Sequence, residues 1–118
     1  MVNNIEELIG KTLVSVKGIE EGSEEVELED DQGKIYVFFH SQDCCEFVRL
    51  EEVHGDPQSL IGSPITQATE SIESGDESTW TFYTIATVKG HVTLRWLGES
   101  NGYYSESVDF VIATKRKK

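Results

Sequence analysis

The sequence predicts an all-β domain, an eight-stranded antiparallel sandwich or barrel with two short helices. Eight segments rich in β-branched and aromatic residues are separated by clusters of Gly, Asp, Asn and Ser, a pattern typical of such folds. The chain has 118 residues, which suits a single domain with one core. It also repeats parts of itself, which predicts two pseudo-equivalent halves. We expect one β domain over residues 1–114 and a basic tail over 115–118.

The first half begins with a helical turn, "NIEELIG", in which Asn4 is the expected N-cap and Gly10 the stop. Alternation of apolar and polar residues then predicts four strands, at 12–19, 24–30, 34–40 and 46–53. The second of these is strictly alternating, with apolar residues on one face and glutamates on the other. The third is aromatic on both faces, which indicates a central strand.

The second half begins with "DPQSLIG", where Asp56 caps, Pro57 takes the first helical position and Gly62 ends the turn. Four more strands are predicted at 64–72, 78–88, 91–98 and 105–113. The central pair forms a hairpin with a two-residue loop at Lys89–Gly90. That register places Ile85 opposite Leu94, Tyr83 opposite Trp96 and Thr87 opposite Val92 on the core face, and it puts Trp80 and Arg95 together on the other face.

Two echoes relate the halves. "LIG" occurs at 8–10 and again at 60–62, each time between a helical turn and a strand. "GKIYVFFHSQDCCEFV" from Gly33 parallels "GHVTLRWLGESNGYYSESV" from Gly90. We therefore expect residues 5–54 and 57–112 to be related halves, the alternative being coincidence among strand-forming segments.

Charge limits the choice of partners. The formal net charge is -12, residues 20–31 contain eight carboxylates and no cation, and residues 115–118 are all basic. An excess of negative charge repels nucleic acid and anionic lipid, so we expect no direct nucleic-acid binding and no membrane association. The acidic run is either a solvated face or a surface for a basic groove on another protein. Adjacent Cys44 and Cys45 are poorly placed to bond to each other, which favours a reducing cytoplasm.

The segment "HSQDCCE" at 40–46 is the first candidate site, with His40, Asp43 and Glu46 as candidate binding residues. Adjacent strand residues point to opposite faces, so only one of Cys44 and Cys45 could join His40 around a metal. We expect no cofactor and no tightly held metal; a metal that did bind would use His40, Cys44 and Cys45. The competing interpretation is structural: a strand–loop–strand corner with a buried cysteine, in which His40 and Glu46 are hydrogen-bonded locally.

The segment "GESNGYYSE" at 98–106 is the second candidate site. Loops of this kind aim backbone N–H groups at an anion, or they are simply turns in which Asn-Gly supplies positive φ. With the mixed hairpin face, it completes the list of candidate binding residues: Trp80, Arg95, Ser100, Asn101, Tyr103, Tyr104 and Glu106.

The blocks H-x-Q-D-C-C-E and G-x-S-N-G-Y-Y-S-E, with "LIGK", "GDPQSLIGSPI" and "STWTFYTIAT", resemble a family of small uncharacterised proteins encoded by bacteriophages and prophages. The similarity runs roughly from Ile5 to Phe110. It implies an accessory protein in the cytoplasm of an infected or lysogenic bacterium, one that blunts a host defence or redirects a host enzyme.

Two classes of function therefore compete. The first is a binding protein for a host protein, such as a defence or nucleic-acid-handling protein, or for a small polar ligand, acting through the acidic face or the polar and aromatic corner. The second is a small metal-dependent or thiol enzyme centred on His40, Cys44, Cys45 and Glu46. The first is favoured because the residues supply no complete catalytic set. The oligomeric state is left open, with a dimer as one option.

Overall fold

The computed structural model describes residues 4–41, 46–100 and 106–114. Two single turns of 3-10 helix, η1 and η2, and eight strands, β1 to β8, make up the chain. They are η1 (Ile5–Leu8), β1 (Leu13–Lys17), β2 (Glu25–Asp30), β3 (Lys34–Phe39), β4 (Phe47–His54), η2 (Pro57–Leu60), β5 (Gln67–Ser74), β6 (Ser78–Thr87), β7 (Gly90–Glu99) and β8 (Asp109–Thr114). The predicted all-β class and all eight strands are confirmed. Within the described ranges, no helix is long and apolar enough to cross a membrane.

The strands form two four-stranded antiparallel sheets packed as a sandwich. Sheet 1 has the order β1-β2-β3-β8 and sheet 2 the order β4-β7-β6-β5. Of the two architectures the sequence allowed, the sandwich is therefore the one adopted, and the described strands do not close into a barrel. Each sheet takes three consecutive strands from one half of the chain and one strand from the other half.

This arrangement is pseudo-twofold. Replacing β1, β2, β3 and β4 by β5, β6, β7 and β8 turns the order of sheet 1 into that of sheet 2. The segments that follow the two helical turns are related by an offset of 52 residues, which relates Gly10 to Gly62 and Leu13 to Ile65. Gly10 N donates to Ile65 O at 2.8 Å, and Gly62 N donates to Leu13 O at 2.9 Å. Both glycines have left-handed φ, +89° and +90°, which other residues rarely adopt.

The helical turns repeat in the same way. Asn4 Oδ1 accepts from Glu6 N at 2.8 Å, and Asp56 Oδ1 accepts from Gln58 N at 3.0 Å, so both predicted N-caps are present. Each turn buries its last residue in the core, Leu8 or Leu60. Such short helices depend on this packing for their stability.

The core lies between the sheets and is filled by every second residue of the strands. Its largest fully buried side chains are Trp96, Tyr36, Tyr83, Phe38, Phe110, Leu8, Leu13, Leu28, Leu50, Leu60, Ile65 and Ile85. Phe38 joins the two halves, because its ring contacts Tyr83 and Phe110 with centroids 4.8 Å away in both cases.

Asp30 is a buried carboxylate at the turn between β2 and β3. It accepts hydrogen bonds from Tyr36 Oη at 2.7 Å, Gln32 N at 2.8 Å and Lys34 N at 2.9 Å. Burial alone would raise the pKa of Asp30, but these hydrogen bonds to its charged form outweigh burial and lower the pKa below its ordinary value. Burial and the bond to Asp30 raise the pKa of the Tyr36 hydroxyl.

The β6–β7 hairpin turns one residue earlier than the sequence suggested. Its loop is Val88–Lys89, not Lys89–Gly90, so Thr87 pairs with Gly90, Ile85 with Val92 and Tyr83 with Leu94.

The cause of this register is tertiary. The Thr87 hydroxyl donates to Ser59 O in η2 at 2.5 Å and accepts from Lys89 N at 3.2 Å, which keeps buried Thr87 within the ladder. The observed pairing differs from the predicted pairing by two residues, so each side chain keeps its predicted face. Trp80 and Arg95 accordingly share the outer face, as predicted.

Candidate functional site

The two candidate segments meet at one end of the sandwich, which we call the corner: the β3–β4 and β7–β8 crossovers with their flanking residues. β3 pairs with β8 and β4 with β7, so Phe39 lies opposite Asp109 and Phe47 lies opposite Glu99. The described ends of the two crossovers therefore lie next to each other at this end of the sandwich, and the chain passes from sheet 1 to sheet 2 in the first crossover and from sheet 2 to sheet 1 in the second. Six candidate residues lie outside the described residues: Asp43, Cys44, Cys45, Asn101, Tyr103 and Tyr104.

His40 and Glu46 form a buried pair in the first crossover. His40 Nε2 lies 2.7 Å from Glu46 Oε2, and the side chains are 3% and 0% exposed. His40 Nδ1 lies 2.7 Å from the Ser107 carbonyl oxygen, which can only accept, so Nδ1 carries a proton. Nε2 lies within hydrogen-bonding distance of the carboxylate, so the two side chains form a buried hydrogen-bonded pair.

Glu106 anchors the second crossover. Thr79 Oγ1 donates to Glu106 Oε1 at 2.7 Å, and the Ser100 hydroxyl donates to Glu106 Oε2. A Cβ at Gly98 would lie 2.4 Å from the Glu106 carbonyl oxygen and 2.8 Å from its Cβ. Gly98 is therefore required for the close approach of this segment to β7.

The two crossovers contain the same kind of hydrogen bond. In each, a glutamate is bonded to a polar side chain six residues earlier, His40 for Glu46 and Ser100 for Glu106. Ser41 N also donates to Asp109 Oδ2 at 3.1 Å, which ties the first crossover to the start of β8. The predicted local bond between His40 and Glu46 is present, and it holds the ends of a loop together.

A second cluster lies on the outer face of sheet 2, which we call the aromatic–arginine face. Trp80 and Phe82 stack with centroids 5.9 Å apart and planes 4° apart. The Arg95 guanidinium lies over both rings, 5.3 Å from the Trp80 centroid and 5.1 Å from that of Phe82. These distances are within the range of cation–π attraction. Arg95 also pairs with Glu52 at 3.2 Å, which fixes the guanidinium from the β4 side.

Arg49 extends this face towards the corner. Its guanidinium lies 4.7 Å from the centroid of Phe47, which is 49% exposed. Arg49 also contacts Glu51 at 2.9 Å and Glu99 at 2.7 Å. Burial would lower the pKa of Arg49, but the two carboxylates outweigh burial and raise it. Two arginines on one face therefore lie over aromatic rings and are paired with carboxylates before any ligand arrives.

A metal centre gains no support from the described part of the corner. No group of three or more His, Cys, Asp or Glu side chains there is placed to hold a metal ion. Both ring nitrogens of His40 are already engaged, by Glu46 and by Ser107 O. Because Cys44 and Cys45 lie outside the described ranges, the ligand set of His40 with the two cysteines stays a prediction.

One concavity was not anticipated from the sequence. A groove of about 290 Å³ lies between η1 and β5, lined by Asn4, Ile5, Glu6, Ala68, Thr69 and Glu70. None of the sequence-predicted site residues lines it. The groove is hard to predict from the sequence because it lies between segments from different halves, each of which resembles an ordinary helix cap or edge strand.

The fold and the sites define a class: a small β-sandwich with a buried His40–Glu46 pair at one end and an aromatic–arginine surface on one sheet. The chain belongs to the family described as Domain of unknown function (DUF7448), whose model matches residues 6–110. No curated protein and no solved structure matches it. The family description names no activity, so the function has to be argued from the geometry.

Proposed function

We propose that this is a non-enzymatic binding protein that holds a host protein through its aromatic–arginine face. On this proposal it is a phage-encoded accessory protein in the cytoplasm of an infected or lysogenic bacterium, where it inhibits or redirects its target. The main support is the Arg95 guanidinium over the stacked rings of Trp80 and Phe82.

The composition of this face is that of an interface hot spot. Trp and Arg are enriched among the residues that contribute most to protein–protein binding. Here the stacking partners are already in place, so little side-chain freedom is lost when a partner docks. The rings stay partly accessible, and the Arg95 side chain is 36% exposed.

The pseudo-symmetry provides an internal comparison. Arg95 and Phe39 are each the sixth residue of their strand, β7 and β3. Phe82 and Glu25 each lie five residues before the buried polar residue that ends the strand, in β6 and β2. The same fold thus accepts Glu25 and Phe39 where this face has Phe82 and Arg95. The aromatic–arginine pair is not required by the architecture, which favours a role in recognition.

The corner supports a binding protein in a different way. The two ring nitrogens of His40 are bonded to Glu46 and to the Ser107 carbonyl oxygen, and the side chains of His40 and Glu46 are buried. A general base must reach the proton that it removes from a substrate. The His40–Glu46 pair is therefore better placed to hold the crossover than to catalyse a reaction.

Site-specific photocrosslinking in bacterial cells tests the proposal. A photoreactive residue at Ser71, which pairs with Phe82 on the exposed edge strand, should capture a discrete host protein. The crosslink should be lost in the Trp80→Ala/Arg95→Ala variant and kept in Thr84→Ala/Thr93→Ala, which alters neighbouring outward side chains. An equally strong crosslink in the Trp80→Ala/Arg95→Ala variant would refute this face as the binding surface. Native mass spectrometry of protein purified without chelator would reveal a bound metal or small ligand, and so the enzymatic alternative.

A further inference from the structure

The outer face of sheet 1, on the opposite side of the sandwich, is a different kind of surface. It consists of three aligned rows across β2, β3 and β8: Glu25, Phe39 and Asp109; Glu27, Val37 and Val111; Glu29, Ile35 and Ala113. A column of glutamates therefore runs beside two columns that are mostly aliphatic or aromatic. We call this surface the acidic–aliphatic face.

The apolar columns are unusual for an outer face. An antiparallel sheet with one face in water normally alternates apolar residues inside with polar residues outside. β3 departs from this, because Tyr36 and Phe38 are fully buried inside while Ile35, Val37 and Phe39 lie outside and are only partly covered.

The other half of the chain shows that the fold does not need them. The second, fourth and sixth residues of β7, equivalent to those three of β3, are His91, Thr93 and Arg95. The apolar columns on sheet 1 are therefore specific to this face and are not a demand of the strand order.

The charge on this face is also less compensated than on the other. Across the described residues, the only cation that the ladder places beside the glutamate column is Lys17, opposite Glu27 in β1. Neither Glu25 nor Glu27 forms an ion pair with a described residue. On sheet 2, by contrast, Glu51, Glu52 and Glu99 each contact an arginine. Among the described residues, Glu25 and Glu27 together thus have more negative charge than Lys17 offsets, and a cation on a partner can neutralise the remainder.

We propose that this face docks a cationic amphipathic helix of a partner protein. A helix satisfies its own backbone hydrogen bonds, so it can lie on the face of a sheet, whereas an added strand needs a sheet edge. Glutamates two residues apart along β2 are about 6.8 Å apart, and side chains at i and i+4 of a helix are separated by about 6 Å along its axis. Lysines or arginines one turn apart therefore meet successive glutamates, while the apolar stripe of the helix covers β3 and β8. The acidic column disfavours nucleic acid and anionic lipid as occupants.

This surface is independent of the aromatic–arginine face, so each proposal can fail without the other. The probe is a fluorescein-labelled Leu/Lys peptide of about five helical turns, compared with a scrambled peptide of the same composition that has no apolar stripe. Binding is measured by fluorescence anisotropy at several salt concentrations. We expect the amphipathic peptide to bind at least about tenfold more tightly than the scrambled one.

Three variants separate the two components of the surface. Val37→Thr/Val111→Thr keeps the β-branched shape but adds hydroxyls, and it should weaken binding of the amphipathic peptide roughly tenfold. Glu27→Gln should weaken binding and flatten its salt dependence, since one counter-charge is lost. The matched control on sheet 2, Thr84→Ala/Thr93→Ala, should bind like the wild type. Should the Val37→Thr/Val111→Thr variant fail to fold, Ala113→Lys at the exposed edge should weaken binding by charge repulsion.

Equal binding of the two peptides, or unchanged affinity in a folded Val37→Thr/Val111→Thr variant, would overturn the proposal. Sedimentation analysis tests the remaining possible occupant, a second copy of this chain. Concentration-dependent self-association that is abolished by Val37→Thr/Val111→Thr would assign the face to a second copy of this chain instead and would equally overturn it.

Discussion

Removing the carboxylate of Glu46 tests whether the corner is held by its buried pair. In Glu46→Ala, His40 Nε2 loses the partner that lies at 2.7 Å, while Nδ1 keeps its bond to Ser107 O. Removing one partner of a buried pair of ionisable groups costs up to about 3–5 kcal/mol, because the remaining group is left desolvated and unpaired. With side chains 3% and 0% exposed, this pair belongs to that class. We expect the free energy of unfolding to fall by about that amount.

Glu46→Gln should be much milder, for a reason that follows from the proton positions. Since Nδ1 donates to Ser107 O, a neutral His40 ring has its lone pair on Nε2, and the introduced amide can donate to it. The hydrogen bond is then kept without a charge, and the expected loss is about 1–2 kcal/mol. The partly buried ion pair of Arg49 with Glu51 provides the control, since Arg49 keeps Glu99 as a partner in Glu51→Ala and the expected loss is about 1 kcal/mol or less.

The assay is urea denaturation followed by tryptophan fluorescence, with His40→Ala and the double variant completing a double-mutant cycle. A pair that acts as a unit should give a coupling energy above about 1 kcal/mol. Additive single losses, or a Glu46→Gln variant as unstable as Glu46→Ala, would refute the assignment of the pair as the anchor of the crossover.

Three further outcomes are expected. The stability that Asp30 contributes is present above its unfolded pKa of about 3.9 and is lost as pH falls through its lower folded pKa. Asp30→Asn should therefore flatten the stability–pH curve on the acid side, and equal slopes in Asp30→Asn and wild type would contradict this. Gly98→Ala should destabilise the protein by about 2–3 kcal/mol, because its methyl group meets the Glu106 backbone, and a change below about 0.5 kcal/mol in chemical denaturation would contradict the close approach. Elemental analysis of protein purified without chelator should find less than one equivalent of zinc; one equivalent lost in His40→Ala would favour the metal centre.

Alternation along the chain was enough to predict the strands and the side each residue faces. Val26 and Leu28 are buried in β2 while Glu25 is exposed, as the period of two requires. The N-caps at Asn4 and Asp56 were equally readable, since both residue types accept from a free N–H at a helix start. The repeated strand order agrees with the internal echo, but the echo aligned Gly33 with Gly90, whereas the strands align Lys34 with Gly90.

Features that depend on contacts between halves could not be read in the same way. The hairpin register is set by Thr87 bonding to Ser59 in η2, a residue 28 positions away in the chain. The bond from Thr79 to Glu106 likewise joins segments whose separation along the chain carries no periodic signal. The lowered pKa of Asp30 depends in part on the hydrogen bond from Tyr36. This bond joins residues of two strands, and the alternating pattern of either strand gives no sign of it.

The two halves separate structural from functional residues without reference to any other protein. Positions that fill the same role twice, such as Glu46 and Glu106 at the crossovers, are needed to build the fold. Where equivalent positions of the two halves hold residues of different chemistry, the fold requires neither residue. Glu25 opposite Phe39 on sheet 1, set against Phe82 opposite Arg95 on sheet 2, is the sharpest such contrast. This contrast is why we propose recognition for the two outer faces and a structural role for the described part of the corner.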